Sequence, residues 1–241
     1  IKEKVPDHFV EINLKPLDDQ TAKSILSAIL NLSYKHKDII DRIIRRTGGN
    51  PFFIEEVVSS LIDQGAVIQK NNLFQLTEKI NTVDIPHSII DVLMTRIDQL
   101  EAENRDLLKA ASVIGQEFHY RILSEVARKV RDIDARLAYL KVIQLIKERK
   151  KMGEVEYLFN HSLVQEVAYG SILPTRKIRF HLKVASSIEK VFAEQLNKYY
   201  GMLAYHYTKA QSPQKTEEYL IKAGEEALKS SASSEALNYY Q

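Results

Sequence analysis

The residues able to do chemistry are present but scattered. Seven histidines are spread along 241 residues, and none stands beside a second ligand at zinc-type spacing. There is no Cys, which excludes thiolate chemistry and disulfides and fits a reducing compartment. Ser162 follows His161 directly. A nucleophile, however, needs its base within hydrogen-bond reach and a third group to orient that base, and adjacency gives neither. No GxxxxGK(S/T) loop, GxGxxG turn, HExxH helix or CxxC pair occurs, so the chain has no backbone cradle of its own for nucleotide phosphates. The expectation is a chain that is not an enzyme by itself and holds no catalytic residue, metal or cofactor.

Charge narrows the partners. Lys and Arg number 34 against 32 Asp and Glu, a net +2, so nothing demands nucleic acid or an anionic membrane. One basic stretch, Lys147 to Lys151 with Arg149 and Lys150 inside it, reads as a solvated turn or as a wing that touches DNA. Arg176, Lys177 and Arg179 open a helix at the end where the dipole disfavours cations, which suggests ion pairs to a neighbouring domain. Tyr199, Tyr200, Tyr205 and Tyr207 read as helix-packing core or as the wall of a peptide groove. Residues 1–20 carry no apolar signal core, and no run reaches the roughly 20 apolar residues of a membrane span. A cytoplasmic location is expected. Ile1 at one end and an amphipathic pattern cut at Gln241 suggest a piece of a longer protein.

These residues sit on a helical scaffold. Eight Gly and six Pro are few for this length, and 44% hydrophobic residues suffice for one large core or two or three small ones. Residues 9–13 alternate like a short strand. Asp18 or Asp19 suits an N-cap for a helix from about Gln20 to Leu32. A second helix spans about Lys37 to Thr47, with Ile39, Ile40, Ile43 and Ile44 on one face, and Gly48-Gly49 ends it. Asn50-Pro51 starts a third, since Pro loses nothing at a first helical position, and Gly65 stops it. Residues 66–76 read as a hairpin turning at Asn71-Asn72. Pro86 opens a helix through Ile97; Glu101–Val113, Tyr120–Val130 and Ala135–Lys147 follow, the last with Leu137, Leu140, Ile143 and Ile146 as its stripe. A polar turn at Glu148–Glu154 and a strand at Val155–Phe159 complete a winged-helix pattern. From His161 onward helices are expected at Ser162–Ser171, Thr175–Phe192, Lys198–Ala210, Pro213–Ser230 and from Ser233. Leu203 and Leu237, like Tyr205 and Tyr239, are 34 residues apart, the tetratricopeptide period.

Five stretches carry a resemblance: Val10–Leu17, Gly49-Asn50-Pro51-Phe52-Phe53-Ile54-Glu55-Glu56, Ile85–Leu100, Leu108–Phe118 and Phe159–Tyr169. In this order they resemble the STAND-type signalling ATPases of bacteria, a branch of the AAA+ class found in adenylate-cyclase-linked, kinase-linked and transcription-regulator proteins. The resemblance implies a mainly α chain. It would comprise the end of an ATPase core strand and a linker (1–19), a helical lid with a hairpin (20–82), a winged helix (83–160) and a helical arm starting tetratricopeptide-like repeats (161–241). The phosphate loop and Mg²⁺-binding strand would lie upstream, so ATP or ADP with Mg²⁺ would belong to the full-length protein. By the same resemblance, Gly49 and Pro51 form a turn whose Pro packs on adenine, against the alternative of a helix stop and start. His161 would contact the β-phosphate of ADP, against a plain structural role, with Ser162 standing where the family has Asp and able to cap the next helix. The implied function is a regulatory segment that couples nucleotide state to an effector. Its partners would be other domains of the same chain and a protein on the arm; the alternative is a DNA-binding winged-helix regulator with a helical dimerisation arm.

Overall fold

A computed structural model describes residues 13, 15–30, 37–70, 73–151, 154–229 and 239. The fold is mainly α, with two small antiparallel sheets among the described residues. The chain divides into two compact units, Ile1–Arg96 and Ile97–Gln241.

In the first unit, α1 (Asp19–Leu30), α2 (Lys37–Thr47) and α3 (Pro51–Asp63) are followed by a hairpin of β1 (Val67–Lys70) and β2 (Leu73–Leu76), and then by α4 (Ile89–Gln99), within which the division falls. Asp18 is the residue that caps α1, its Oδ1 accepting from Thr21 N at 2.9 Å. The Ile pairs of α2 do what their spacing predicts: Ile39, Ile40, Ile43 and Ile44 are all buried, against Leu26 and Leu30 of α1 and Ile54, Val57, Val58 and Leu61 of α3 in one core. Gly48 and Gly49 end α2 with φ of 57° and 73°, and Gly65 follows α3 at 67°.

In the second unit the order is α5 (Ala102–Ile114), β3 (Glu117–His119), α6 (Tyr120–Val126), α7 (Ile133–Val142), β4 (Ile146–Lys151) and β5 (Glu154–Phe159). The strands form one antiparallel sheet in the order β3-β5-β4, with Phe118 opposite Tyr157 and Arg149 opposite Glu156. Phe118 is the hub, stacked on Tyr157 at 5.8 Å and tilted on Phe159 at 5.6 Å. Then come α8 (Ser162–Gly170), α9 (Pro174–Val191), a 3₁₀ stretch (Ala193–Tyr199), α10 (Tyr200–Lys209) and α11 (Pro213–Lys229). Tyr207 of α10 stacks flat on Tyr219 of α11, and both hydroxyls donate to Glu189 of α9, at 2.8 and 2.5 Å.

Several expectations are corrected. The helix expected to run to Lys147 ends at Val142, and Ile146 is a buried residue of β4 instead of part of its stripe. Gln144 takes φ 59° there, a left-handed break that turns the chain into the strand. The expected polar turn at 148–154 is therefore largely strand, with residues 152–153 outside the described ones. β3 lies where no strand was expected, and α6 stops at Val126, short of Val130. α4 begins at Ile89, three residues beyond Pro86, with Ser88 Oγ accepting from Asp91 N. The strand expected at 9–13, apart from residue 13, the turn at Asn71-Asn72 and all but residue 239 of the last helix lie outside the described residues.

Candidate functional site

The turn between α2 and α3 is held by backbone and by one side chain. Leu17 N donates to Gly49 O at 2.9 Å, and Asn50 Oδ1 accepts from Phe53 N at 3.2 Å, capping α3. A Cβ on Gly49 would stand 2.2 Å from the Leu17 carbonyl oxygen, far inside van der Waals contact. A glycine is thus demanded twice at this position, by a left-handed φ and by the Leu17 backbone. The space where its side chain would stand is occupied by the Leu17 backbone. Pro51 differs: it stands at the first position of α3 with its ring exposed, an apolar surface at a helix N-terminus.

His161, in the second unit, is exposed and occupies the N-cap of α8 with φ −135° and ψ 143°. Its side chain makes no cap bond; Val164 N bonds its carbonyl at 3.1 Å. Ser162 is the first residue inside the helix and does not cap it, contrary to expectation. Gly49 and Pro51 belong to the first unit and His161 to the second.

Several other residues that carry the resemblance are packing devices. Glu56, in the Phe-Phe-Ile-Glu-Glu run, is 7% exposed; Arg96, from the Thr-Arg-Ile-Asp run, is 6% exposed. Arg96 Nη1 donates to Glu56 Oε2, and its Nε reaches Asp63 at 3.4 Å. This buried ion pair ties α3 to α4, and sequence reading passed over it. The signal was there, because each charge falls on the apolar stripe of its own helix, three residues after Phe53 and Leu93. Gln165 Nε2 donates to the Ser112 carbonyl at 2.6 Å, joining α8 to α5. Gly115 closes α5 at φ 150°.

Tyr169 OH meets His181 Nε2 at 3.0 Å, and His181 Nδ1 meets His206 Nδ1 at 2.9 Å. His181 and His206 are 1% and 0% exposed. Burial pushes His181 down to about 4, aided by Lys209 and Lys177; burial and the neighbouring His181 push His206 down to about 3.

The basic stretch is not a loose loop. Arg149 bonds Glu117 and Glu156, the latter at 2.8 Å, and Lys141 pairs with Glu148 at 2.5 Å. Arg149 thereby ties β4 to β3 and β5, held by two carboxylates. Arg176 pairs with Asp106 of α5 at 2.9 Å inside its own unit. Among the described residues no group of three or more His, Cys, Asp or Glu is placed to hold a metal ion. Among them, too, no helix is long and apolar enough to cross a membrane.

No family model matches the chain. An uncharacterized protein of Rhizobium meliloti (strain 1021) is 23% identical over 241 residues, covering 95% of this chain, which spans 22% of that relative's length. Among solved structures, the chain is similar to a Signal Transduction ATPase with Numerous Domains (STAND) protein with a tetratricopeptide repeat sensor from Pyrococcus horikoshii. The identity is 14% and the TM-score 0.48, over 95% of this chain and 35% of that one.

Proposed function

We propose that the chain is a non-catalytic regulatory segment of a multidomain signal-transduction ATPase, coupling nucleotide state to an effector and offering a helical arm to a protein partner. The observation that carries this reading is where the four resembling stretches within the described residues fall. The Gly49–Glu56 stretch spans the α2–α3 turn and the first turns of α3; Ile85–Leu100 contains α4; Leu108–Phe118 runs from α5 into β3; Phe159–Tyr169 runs from β5 into α8. The α5-β3-α6-α7-β4-β5 order with sheet order β3-β5-β4 supports a winged helix in the second unit. ATP or ADP with Mg²⁺ would be bound by the rest of the protein, where it supplies the state being sensed. Pro51 offers an apolar ring to a base, and His161 an exposed imidazole to a phosphate; Gly49 serves the turn. Differential affinity for the two nucleotides would then shift the arrangement of units and the effector with it.

The test is ADP affinity and melting temperature measured together on the intact protein carrying His161→Ala. Losing one hydrogen bond to a charged group costs about 1.5–3 kcal/mol, so ADP affinity falls about tenfold or more while the fold survives. Unchanged ADP affinity with a lower melting temperature would mean that His161 only packs.

A further inference from the structure

Arg42, Arg45 and Arg46 occupy positions i, i+3 and i+4 of α2, so their guanidinium groups share one face. With Ile85 and His87, from the segment before α4, they line a cavity of about 390 Å³. All five residues lie in the first unit. Ile85 is buried and forms an apolar floor, while Arg42, Arg45 and His87 are exposed.

Two features set this face apart from an ordinary solvated helix surface. The first is pairing. Arg96, Arg136, Arg149 and Arg176 each lie against one or more carboxylates. Among the described residues no carboxylate lies within ion-pair distance of Arg42, Arg45 or Arg46, and none lines the cavity. The adjacent Asp41 is turned to Lys23 at 2.9 Å. The second is orientation. Arg46 Nη1 is in hydrogen-bond contact with His87 Nδ1. A guanidinium has no acceptor, so Arg46 donates and His87 Nδ1 accepts. An imidazole from another segment thus holds one arginine of the three in place.

The helix dipole accounts for part of this arrangement, because Arg45 and Arg46 stand in the last turn of α2, where cations are favoured. It does not reach Arg42, whose charge opposes that of Arg46 at i+4, nor does it require His87. Three converging guanidinium groups in a concave site match the tetrahedral oxygens of phosphates, to which arginine bonds through its planar fork. We propose that this cavity binds a compact ligand bearing two or more phosphate groups. A single phosphate would engage only part of the face, whereas a linked pair or triple spans it.

The probe is inorganic tripolyphosphate, titrated calorimetrically into the chain at low salt, with a nucleoside triphosphate and a short duplex DNA run beside it. Saturable binding of tripolyphosphate that weakens as salt rises is expected. Arg45→Gln should weaken it roughly tenfold, and Arg42→Gln with Arg45→Gln further, at an unchanged melting temperature because both side chains are exposed. Arg45→Lys, which keeps the charge but loses the fork, should fall between. Arg131→Gln, an exposed arginine of the second unit, should bind as the parent does. Equal affinity for the nucleoside triphosphate assigns the site to a phosphate chain alone; tighter binding that is lost in the same variants assigns it to a nucleotide's phosphates. Three results would overturn the proposal: no saturable binding, an equal loss in Arg131→Gln, or a preference for duplex DNA that grows with its length. None of them bears on His161 or on the regulatory reading.

Discussion

Acidification should destabilise the second unit through His181 and His206, and the proton positions say how. Of the two tautomer patterns that satisfy the 2.9 Å Nδ1–Nδ1 contact, one has His181 Nδ1–H donating and leaves His206 with a buried Nε2–H. Among the described residues His206 Nε2 has no hydrogen-bond partner, and an orphaned N–H is costlier than an orphaned acceptor. The favoured pattern therefore has His206 Nδ1–H donating to His181, and His181 Nε2–H donating to Tyr169. A further proton on His181 would set two N–H groups against each other. One on His206 would be buried without a partner. Lys177 and Lys209 face His181 and add repulsion. Unfolded, both rings have an ordinary value near 6.5; folded, they stand at about 4 and about 3. Below pH ~6.5 the unfolded chain takes up protons that the folded chain refuses, so stability falls with pH by about 1.4 kcal/mol per unit per ring. The contribution is fully present above pH ~6.5 and is lost progressively toward pH ~4. Between pH 7 and pH 5 that is about 2 kcal/mol per ring and about 4 kcal/mol for the pair, a large share of typical domain stability. Urea unfolding followed at several pH values measures it. His206→Leu should lower stability at pH 7 and reduce the slope between pH 6.5 and 5 by roughly half. If parent and variant show the same slope, the pair does not govern acid stability and this reasoning is wrong.

Glu56→Ala takes the nearer carboxylate away from a guanidinium that is 6% exposed; unfolding should show a loss of about 3 kcal/mol, and a loss under 1 kcal/mol would mean that the Glu56 carboxylate does not hold Arg96 in place. Gly49→Ala should cost about 2 kcal/mol or more without any nucleotide present, from the left-handed φ and the Leu17 contact together; a stable Gly49→Ala chain with altered nucleotide affinity in the intact protein would return Gly49 to the binding role.

Helix existence was legible because periodicity and breakers agreed. The Ile pairs of α2, the Gly48-Gly49 stop and the Asn50-Pro51 start each specify one local outcome, and each occurs. What failed was the stretch from Ala135 to Gly153. Leu137, Leu140, Ile143 and Ile146 fit a helical period, but the last two also fit a chain that leaves the helix and enters a strand. Only the sheet decides: Ile146 pairs with Phe159, and Arg149 finds Glu156 and Glu117 across the strands. A short strand such as Glu117–His119 has no period of its own, since three residues cannot display alternation; its position is set by Phe118 entering the core. Long-range pairing of this kind lies outside any window along the sequence.

The same distinction applies to the site. Glu56 with Arg96, Gln165 with the Ser112 carbonyl, and Phe118 with Phe159 are residues of the resembling stretches that meet one another inside the fold. A motif whose members satisfy each other testifies to architecture and leaves little chemistry over. Gly49 joins that group, because its demands are met by Leu17. Pro51 and His161 are both exposed at helix N-termini. Both helix ends present N–H groups and a positive dipole that suit an anionic visitor. Under the proposed function, substitutions at these two residues are the ones that separate a nucleotide-sensing segment from a helical scaffold.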